Sequence, residues 1–402
     1  MKNREIILLA LTACLAAPLC AKEKAPQPSP AERANAIAFK FYAKEAVKPG
    51  NLFFSPYSMY TAFAMAYEGA KTRTAAEIAS VFAFPAAAGD LRDGLDALDK
   101  DLKAATKEAE FRQANSFWAQ RDYKFRPEYL KILRSRYGAE ARQVDFKTGA
   151  EEARAEINAW TEEQTKGRIK GLFPARSLDP LSRLVLVNAV YFKGKWEKTF
   201  RKEQTFDGEF TRGDGSTVTV KMMSAPQPTE RFYYEEEDLQ ALRMPYRGGL
   251  SMLVLLPRKG GKGLPGLEKT LSAQRLADIR AGLAEQKAKV FFPRFTFSSG
   301  FGLNDALADL GMPTVFTDAA DLSGMDGTKN LYIQKAFHKA FVEVNEEGTE
   351  AAAATGIAVG TKSMAIFDIP VFRADRPFLF FIEDPKSGLL LFMGRVEDPA
   401  KE

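Results

Sequence analysis

One stretch near the carboxyl end, residues 349–362, constrains this chain more than any other. It contains no proline and no large aromatic side chain. Alternate positions from its start are Thr349, Ala351, Ala353, Thr355, Ile357, Val359 and Thr361. The other set is Glu350, Ala352, Ala354, Gly356, Ala358, Gly360 and Lys362. The first set is small or β-branched and fit for burial; the second is small or charged. That period of two is the pattern of a strand. Gly348 opens the segment, two further glycines interrupt it, and the alanines at 351–354 favour neither a strand nor a tight turn. The segment is able to join a sheet without being committed to one.

Elsewhere the pattern is conventional. Apolar residues three and four apart predict helices over residues 31–47, 55–69, 72–82, 126–137 and 151–165, with Ser55 as a cap and Pro56 in the first turn. The first third reads as mostly helical. From residue 184 strands dominate, over 184–192, 218–223, 239–244, 250–256, 290–297, 331–344, 378–382 and 389–392. Residues 213–215 and 247–249 read as hairpin turns. Helices first and sheets later predict an α+β architecture.

With 402 residues, 46% of them hydrophobic and 27% charged, the chain fits a soluble globular protein with a large core. Length alone suggests two or three domains, yet no linker, charge block or repeat divides the chain after residue 31. The net charge of +5 is mild and both signs interleave. No basic stripe with interleaved aromatics is present, so no nucleic-acid partner is expected.

The amino terminus reads as a targeting segment over residues 1–21. Lys2 and Arg4 precede an apolar run, residues 6–19, too short to span a bilayer. Two outcomes fit: cleavage after Ala21, or lipidation of Cys14 within Leu11-Thr12-Ala13-Cys14, which would anchor the chain. Residues 22–30, with three prolines, read as a tether. Export to a periplasmic or extracellular location is expected either way, with membrane contact only through such an anchor. Both cysteines, Cys14 and Cys20, fall in this segment, so the remainder has no disulfide or catalytic thiol.

The only histidine, His338, makes a zinc site of two or three histidines unattainable and leaves a Ser-His-Asp triad dependent on one imidazole. It lies in a strand-like run and reads as a buried, hydrogen-bonded core residue. No serine is followed three residues on by lysine. Residues 261–266 match Gly-x-Gly-x-x-Gly, but Pro265 fits poorly where a helix would open onto a pyrophosphate, so a loop before a helix around 267–283 is expected. Asp90, Asp93, Asp96 and Asp99 lack the spacing of a calcium loop and read as a solvated helix face. An enzyme is not expected, nor any metal or cofactor.

Residues 346–355 (EEGTEAAAAT) closely resemble the reactive-loop hinge of inhibitory serpins. Four further stretches resemble the same family: 51–59 (NLFFSPYSM), 188–196 (NAVYFKGKW), 338–345 (HKAFVEVN) and 372–382 (FRADRPFLFFI). They keep serpin order and spacing from about residue 31 to the end. The resemblance implies one domain over residues 31–402, with about nine helices, three β-sheets and an exposed reactive loop.

It also implies a monomeric suicide-substrate inhibitor. A serine protease cleaves the loop, forms an acyl-enzyme, and is trapped when the loop inserts as a strand of the largest sheet. Glu346, Glu347, Gly348, Thr349, Glu350, Ala351, Ala352, Ala353, Ala354 and Thr355 correspond to the hinge. Counting seventeen residues from Glu346 puts the scissile bond at Lys362–Ser363, with Thr361 and Met364 as alternatives if the loop runs longer. Lysine there suits a trypsin-like protease with an acidic pocket. Ser55, Ser58, Asn188 and His338 match the cluster beneath the strands that part. Gly194 and Trp196 lie near the sheet top where the loop goes in, and Arg294 would pair with Glu346, as an isolated surface pair of little energetic weight. A non-inhibitory serpin acting as carrier or chaperone is the alternative; the small, proline-free hinge favours inhibition.

Overall fold

A computed structural model of the protein describes residues 27–348 and 369–401. Helix α1 (Pro30–Glu45) starts on a capping box in which Ser29 Oγ accepts from the Glu32 N–H, 3.2 Å, while the Ser29 N–H donates to the Glu32 carboxylate, 2.7 Å. Ser29 and Pro30, assigned above to the tether, therefore belong to the first helix. Then come β1 (Leu52–Phe54), α2 (Pro56–Gly69), α3 (Thr72–Phe82) and α4 (Ala88–Ala105). Next are β2 (Glu110–Gln120), α5 (Pro127–Tyr137), β3 (Glu140–Val144) and α6 (Ala150–Gln164). The second half runs β4 (Leu184–Lys193), β5 (Phe206–Thr211), β6 (Thr217–Glu235), β7 (Leu239–Pro245), β8 (Ser251–Pro257), α7 (Gly263–Thr270) and α8 (Ala273–Gly282). It ends β9 (Ala284–Pro293), β10 (Phe295–Gly302), α9 (Asn304–Asp309), α10 (Ser323–Asp326), β11 (Lys335–Val344), β12 (Val371–Arg373), β13 (Phe378–Glu383) and β14 (Leu390–Val396).

Several expectations need correction. The first third is mostly helical but also holds two strands, β1 and β2. The strand expected over 290–297 is two strands in different sheets: Pro293 has no N–H to continue a ladder, and the Arg294 N–H turns away to Lys221 O, 2.8 Å. Residues 331–334 precede β11 rather than belong to it, because Ile333 and Gln334 donate to Val315 and Leu184. The single helix expected around 267–283 is α7 and α8, separated where Ser272 caps the second. Of residues 261–266, expected as a loop, the last four already form the first turn of α7, and the Asp90 series lies on α4, whose leucines 91, 95, 98 and 102 are buried.

Strands β10-β11-β4-β2-β3 form a five-stranded sheet. The other network runs β1-β14-β13-β8-β7-β6-β9-β12, with β5 on β6. It divides at Pro226-Gln227-Pro228, where the β6–β9 register shifts, into a large sheet and a small one that holds β5, β12 and parts of β6 and β9. Helix α2 is buried along almost its whole length between the two networks. The Phe53 ring on β1 stacks on Phe392, 4.8 Å, and Phe380, 5.6 Å, of its own network and meets Phe297 of β10 edge-on at 6.4 Å, joining the two networks at the core. The opposite face of the five-stranded sheet is covered by α6, whose Ile157 and Trp160 pack on Trp118, Val185 and Val187. Strand β4 is thus buried on both faces, whereas β10 and β11 leave alternate residues half-exposed or exposed.

Candidate functional site

The centre of the five-stranded sheet is a parallel seam. Strands β11 and β4 pair from Lys335 opposite Val185 to Phe341 opposite Tyr191, and the pairing stops there. Each is antiparallel to its outer neighbour, β10 or β2. Parallel pairing is slightly weaker per residue than antiparallel, so the seam is the natural place for this sheet to open.

At the head of the seam the chain turns back on itself. The Asn345 N–H donates to Gly348 O, 2.8 Å, and the Gly348 N–H to Asn345 O, 3.2 Å. Gly348 is bridged in antiparallel fashion to Asn345 on one side and to Lys195, just beyond β4, on the other. It therefore sits where the first residue of a strand inserted between β11 and β4 would sit. Its φ of +141° belongs to the glycine-only region, and a Cβ there would lie 2.1 Å from Gly194 O. Gly348→Ala should destabilise the native state by about 1–3 kcal/mol, read as a drop of several degrees in melting temperature. An unchanged melting temperature would mean that the turn is not seated in this way.

Residues 194–200 clamp this turn. The Trp196 N–H donates to Glu347 O and the Phe200 N–H to Glu346 O, both 2.8 Å. Trp196 Nε1 donates to Asn345 O, 3.0 Å, and its ring stacks on Tyr246 at 4.3 Å. A side chain at Gly194 would strike Phe192 and Tyr246. Arg294 Nε donates to Glu346 Oε1, 2.7 Å, and Thr205 also bonds that carboxylate. Burial pushes the Glu346 carboxyl up, but these hydrogen bonds outweigh it and hold it below the usual carboxylate range. The expectation of an isolated surface pair is corrected: Glu346 is 1% exposed, so removing Arg294 would strand a buried carboxylate. Glu347, also buried, has Lys202 Nζ 2.8 Å from Oε1.

Lower in the seam the polar cluster assembles. His338 and Asn188 are register partners, as are Asn188 and Asn115. His338 Nε2 accepts from the Ser55 N–H, 3.0 Å, so Nδ1 carries the proton and donates to Asn188 Oδ1. Asn188 Nδ2 reaches Ser58 Oγ, 2.6 Å, and Asn115 Oδ1. Ser55 Oγ accepts from the Ser58 N–H, 3.0 Å, capping α2, and donates to Leu391 O, 2.6 Å. Side chains thus tie β2, β4 and β11 to the start of α2.

Burial holds the His338 pKa at about 3, far below the ordinary histidine value. The unfolded chain takes up its proton near pH 6.5 while the native state refuses it until about pH 3. Stability should therefore fall as pH drops through that window, by about 1.4 kcal/mol per unit. Denaturant melts at pH 7, 6 and 5, compared with His338→Gln, check this. The variant should show the flatter profile, and equal slopes would count against it.

The family comparisons agree with this geometry. A family model described as serpin (serine protease inhibitor) matches residues 32–399. The chain belongs to the serpin family. This serpin is 42% identical over 368 residues to an uncharacterized serpin-like protein of Thermococcus kodakarensis, covering 91% of this chain and 84% of that one. It is 40% identical over 362 residues to leukocyte elastase inhibitor A of Mus musculus, covering 88% and 95%. Among solved structures it resembles uncleaved ovalbumin, with a TM-score of 0.83 at 30% identity, covering 92% of this chain and all of that one. It also resembles human thyroxine-binding globulin complexed with thyroxine, with a TM-score of 0.84 at 28% identity, covering 92% and 99%. Named relatives thus include protease inhibitors, and the family inhibits proteases rather than catalysing turnover.

Of the expected site residues, the fold brings Ser55, Ser58, Asn188 and His338 together, and separately Gly194, Trp196, Arg294, Glu346, Glu347 and Gly348. Thr349 to Thr355, Lys362 and Ser363 lie outside the described residues, as does Cys14. Sequence reasoning missed Asn115, Lys202, Thr205 and Tyr246. Asn115 could have been flagged as a polar residue inside the run Ala114–Gln120; the other three carry no local signal.

Proposed function

We propose that this serpin is a suicide-substrate inhibitor of trypsin-like serine proteases, cleaved at Lys362–Ser363 and trapping the enzyme by loop insertion along the β11–β4 seam. The protease serine attacks the Lys362 carbonyl, the amide bond breaks, the Ser363 amine leaves with a proton, and an ester remains. Insertion then has to outrun hydrolysis of that ester.

The observation that carries the reading is the seat of Gly348, paired antiparallel on both sides at the head of the seam. Continuing that register, Thr349 falls opposite Val344 and Gly194, Ala351 opposite Val342 and Phe192, and Ala353 opposite Ala340 and Val190. Thr355 arrives opposite His338 and Asn188, replacing their direct bond. The side chains of Val344, Val342, Ala340 and His338 are all buried, so the small, β-branched set of the loop would share their face. The seam is unpaired above Phe341–Tyr191, so residues 349–351 could enter before any β11–β4 pairing is broken. Insertion starts cheaply and meets resistance only lower down.

Incubation with trypsin-, chymotrypsin- and elastase-like proteases, followed by a search for SDS-stable complexes, tests the class. Lys362→Glu should slow inhibition of a trypsin-like protease by roughly 1000-fold with an unchanged fold. Full inhibition by that variant would place the scissile bond elsewhere.

A further inference from the structure

The small sheet that holds β12 presents an outward face with an unusual composition. Strand β12 begins at Val371, only three residues after the loop segment 349–368. It pairs in parallel with β9, Val371 opposite Lys289 and Arg373 opposite Phe291. Alternation along β9 buries Ala288, Val290 and Phe292 and turns Lys289 and Phe291 outward. On the same face, Phe206 of β5 meets Phe291 edge-on at 6.3 Å. The Arg373 guanidinium lies over the Phe291 ring, 3.8 Å from its centroid.

Phe206 and Val371 are 40% and 44% exposed, placing two of the most exposed large apolar side chains among the described residues on this one face. Among the described residues neither Lys289 nor Arg373 has a carboxylate at salt-bridge distance. Along these strands Glu230 and Glu285 lie beyond the division at residues 226–228, in the large sheet, opposite Lys287 and Phe232, and Asp207 of β5 is paired with Lys221. Exposed apolar surface edged by charge marks an interaction site, and the two free cations select an acidic partner.

We propose that Phe206, Phe291, Val371, Lys289 and Arg373 form a second docking surface for the target protease, engaging an acidic, partly apolar rim outside its active site. The proposal rests on the inhibitory reading above. From Lys362 to Val371 the chain can reach at most about 30 Å. A protease domain of roughly 200 residues is about 30–40 Å across, so an enzyme seated at Lys362–Ser363 is large enough to span the distance to this face. Docking of that kind acts through the rate of encounter and is weakened by salt.

The test uses an anionic and a cationic trypsin with the full chain. Lys289→Glu/Arg373→Glu should lower the association rate with the anionic enzyme about tenfold at low ionic strength and leave the rate with the cationic enzyme unchanged or higher. Phe206→Ser should lower both. Stoichiometry of inhibition and melting temperature should not move, which separates docking from trapping. Binding to anionic trypsin with its catalytic serine replaced by alanine reads encounter without any trapping step. If active trypsin forms no SDS-stable complex, the inhibitory reading fails, and this binding measurement still decides the docking surface. Encounter rates insensitive to salt and to the charge reversal would overturn the proposal.

Discussion

A single cut at Lys362–Ser363 should raise the melting temperature of this serpin by about 15–25 °C, although nicking an exposed loop ordinarily leaves stability unchanged or lowers it. In the described structure β11 and β4 pair directly with each other over residues 335–341 and 185–191. A strand inserted between them would exchange that one parallel ladder for two antiparallel ones. Some fourteen residues would gain hydrogen bonds on both sides at about 1 kcal/mol net each, less the ladder given up. The gain is on the order of 10–20 kcal/mol before burial of Thr349, Ile357 and Val359 is counted. For a domain this large each kcal/mol moves the melting temperature by roughly 1–2 °C. The intact loop is tethered at both ends, at Gly348 and at β12, which explains why the gain waits for cleavage. Calorimetry on intact and nicked protein decides the matter. Coincident transitions would mean that the loop segment never becomes a strand.

Much of the scaffold was legible because burial follows simple periods. Helices α2, α3, α5 and α6 stood out by three- and four-residue spacing, and β8, β13 and β14 as short apolar runs. Strand β2 was illegible for a reason tied to its position. Its residues Arg112, Gln113, Asn115, Ser116 and Gln120 spoil the alternation of a buried strand, yet Asn115 bonds Asn188 at the seam and Ser116 accepts from Trp118 Nε1, 2.8 Å. The polar residues that hide the strand are partly those that hold the site together. The corner at Pro293-Arg294 misled in the same way: an apolar run looked like one strand while its backbone was obliged to change sheets.

The hinge shows the limit from the other side. Gly348 could be marked in the sequence as the start of an uncommitted strand, but its seat between Asn345 and Lys195 is a long-range fact. So are two partners of the carboxylates, Thr205 for Glu346 and Lys202 for Glu347, whereas Arg294 was expected beside Glu346 only through the family resemblance. They arrive from distant elements and leave no spacing to read. The pattern could say which face of residues 349–362 would be buried, and only the register at Gly348 says against what.

That register makes the second large prediction specific. Ala353 would come to lie between Ala340 and Val190, both 0% exposed, and Ala351 between Val342 and Phe192. Arginine at either position would bury an unpaired guanidinium at a cost of several kcal/mol. If about 3 kcal/mol of that cost is felt at the barrier, insertion slows by roughly 100-fold, and the ester is hydrolysed first. Ala351→Arg and Ala353→Arg should therefore turn the inhibitor into a substrate. Each would be cut at the same bond, with the protease released, no SDS-stable complex, and more than about ten inhibitor molecules consumed per protease. On this reading insertion follows cleavage, so the intact variants should melt as the parent does. Glu350→Arg is the control: its side chain would fall opposite Glu343 and Lys193 on the half-exposed face, and inhibition should survive. If Ala353→Arg still traps protease as the parent does, insertion along the β11–β4 seam is not the trap, whatever bond is cleaved.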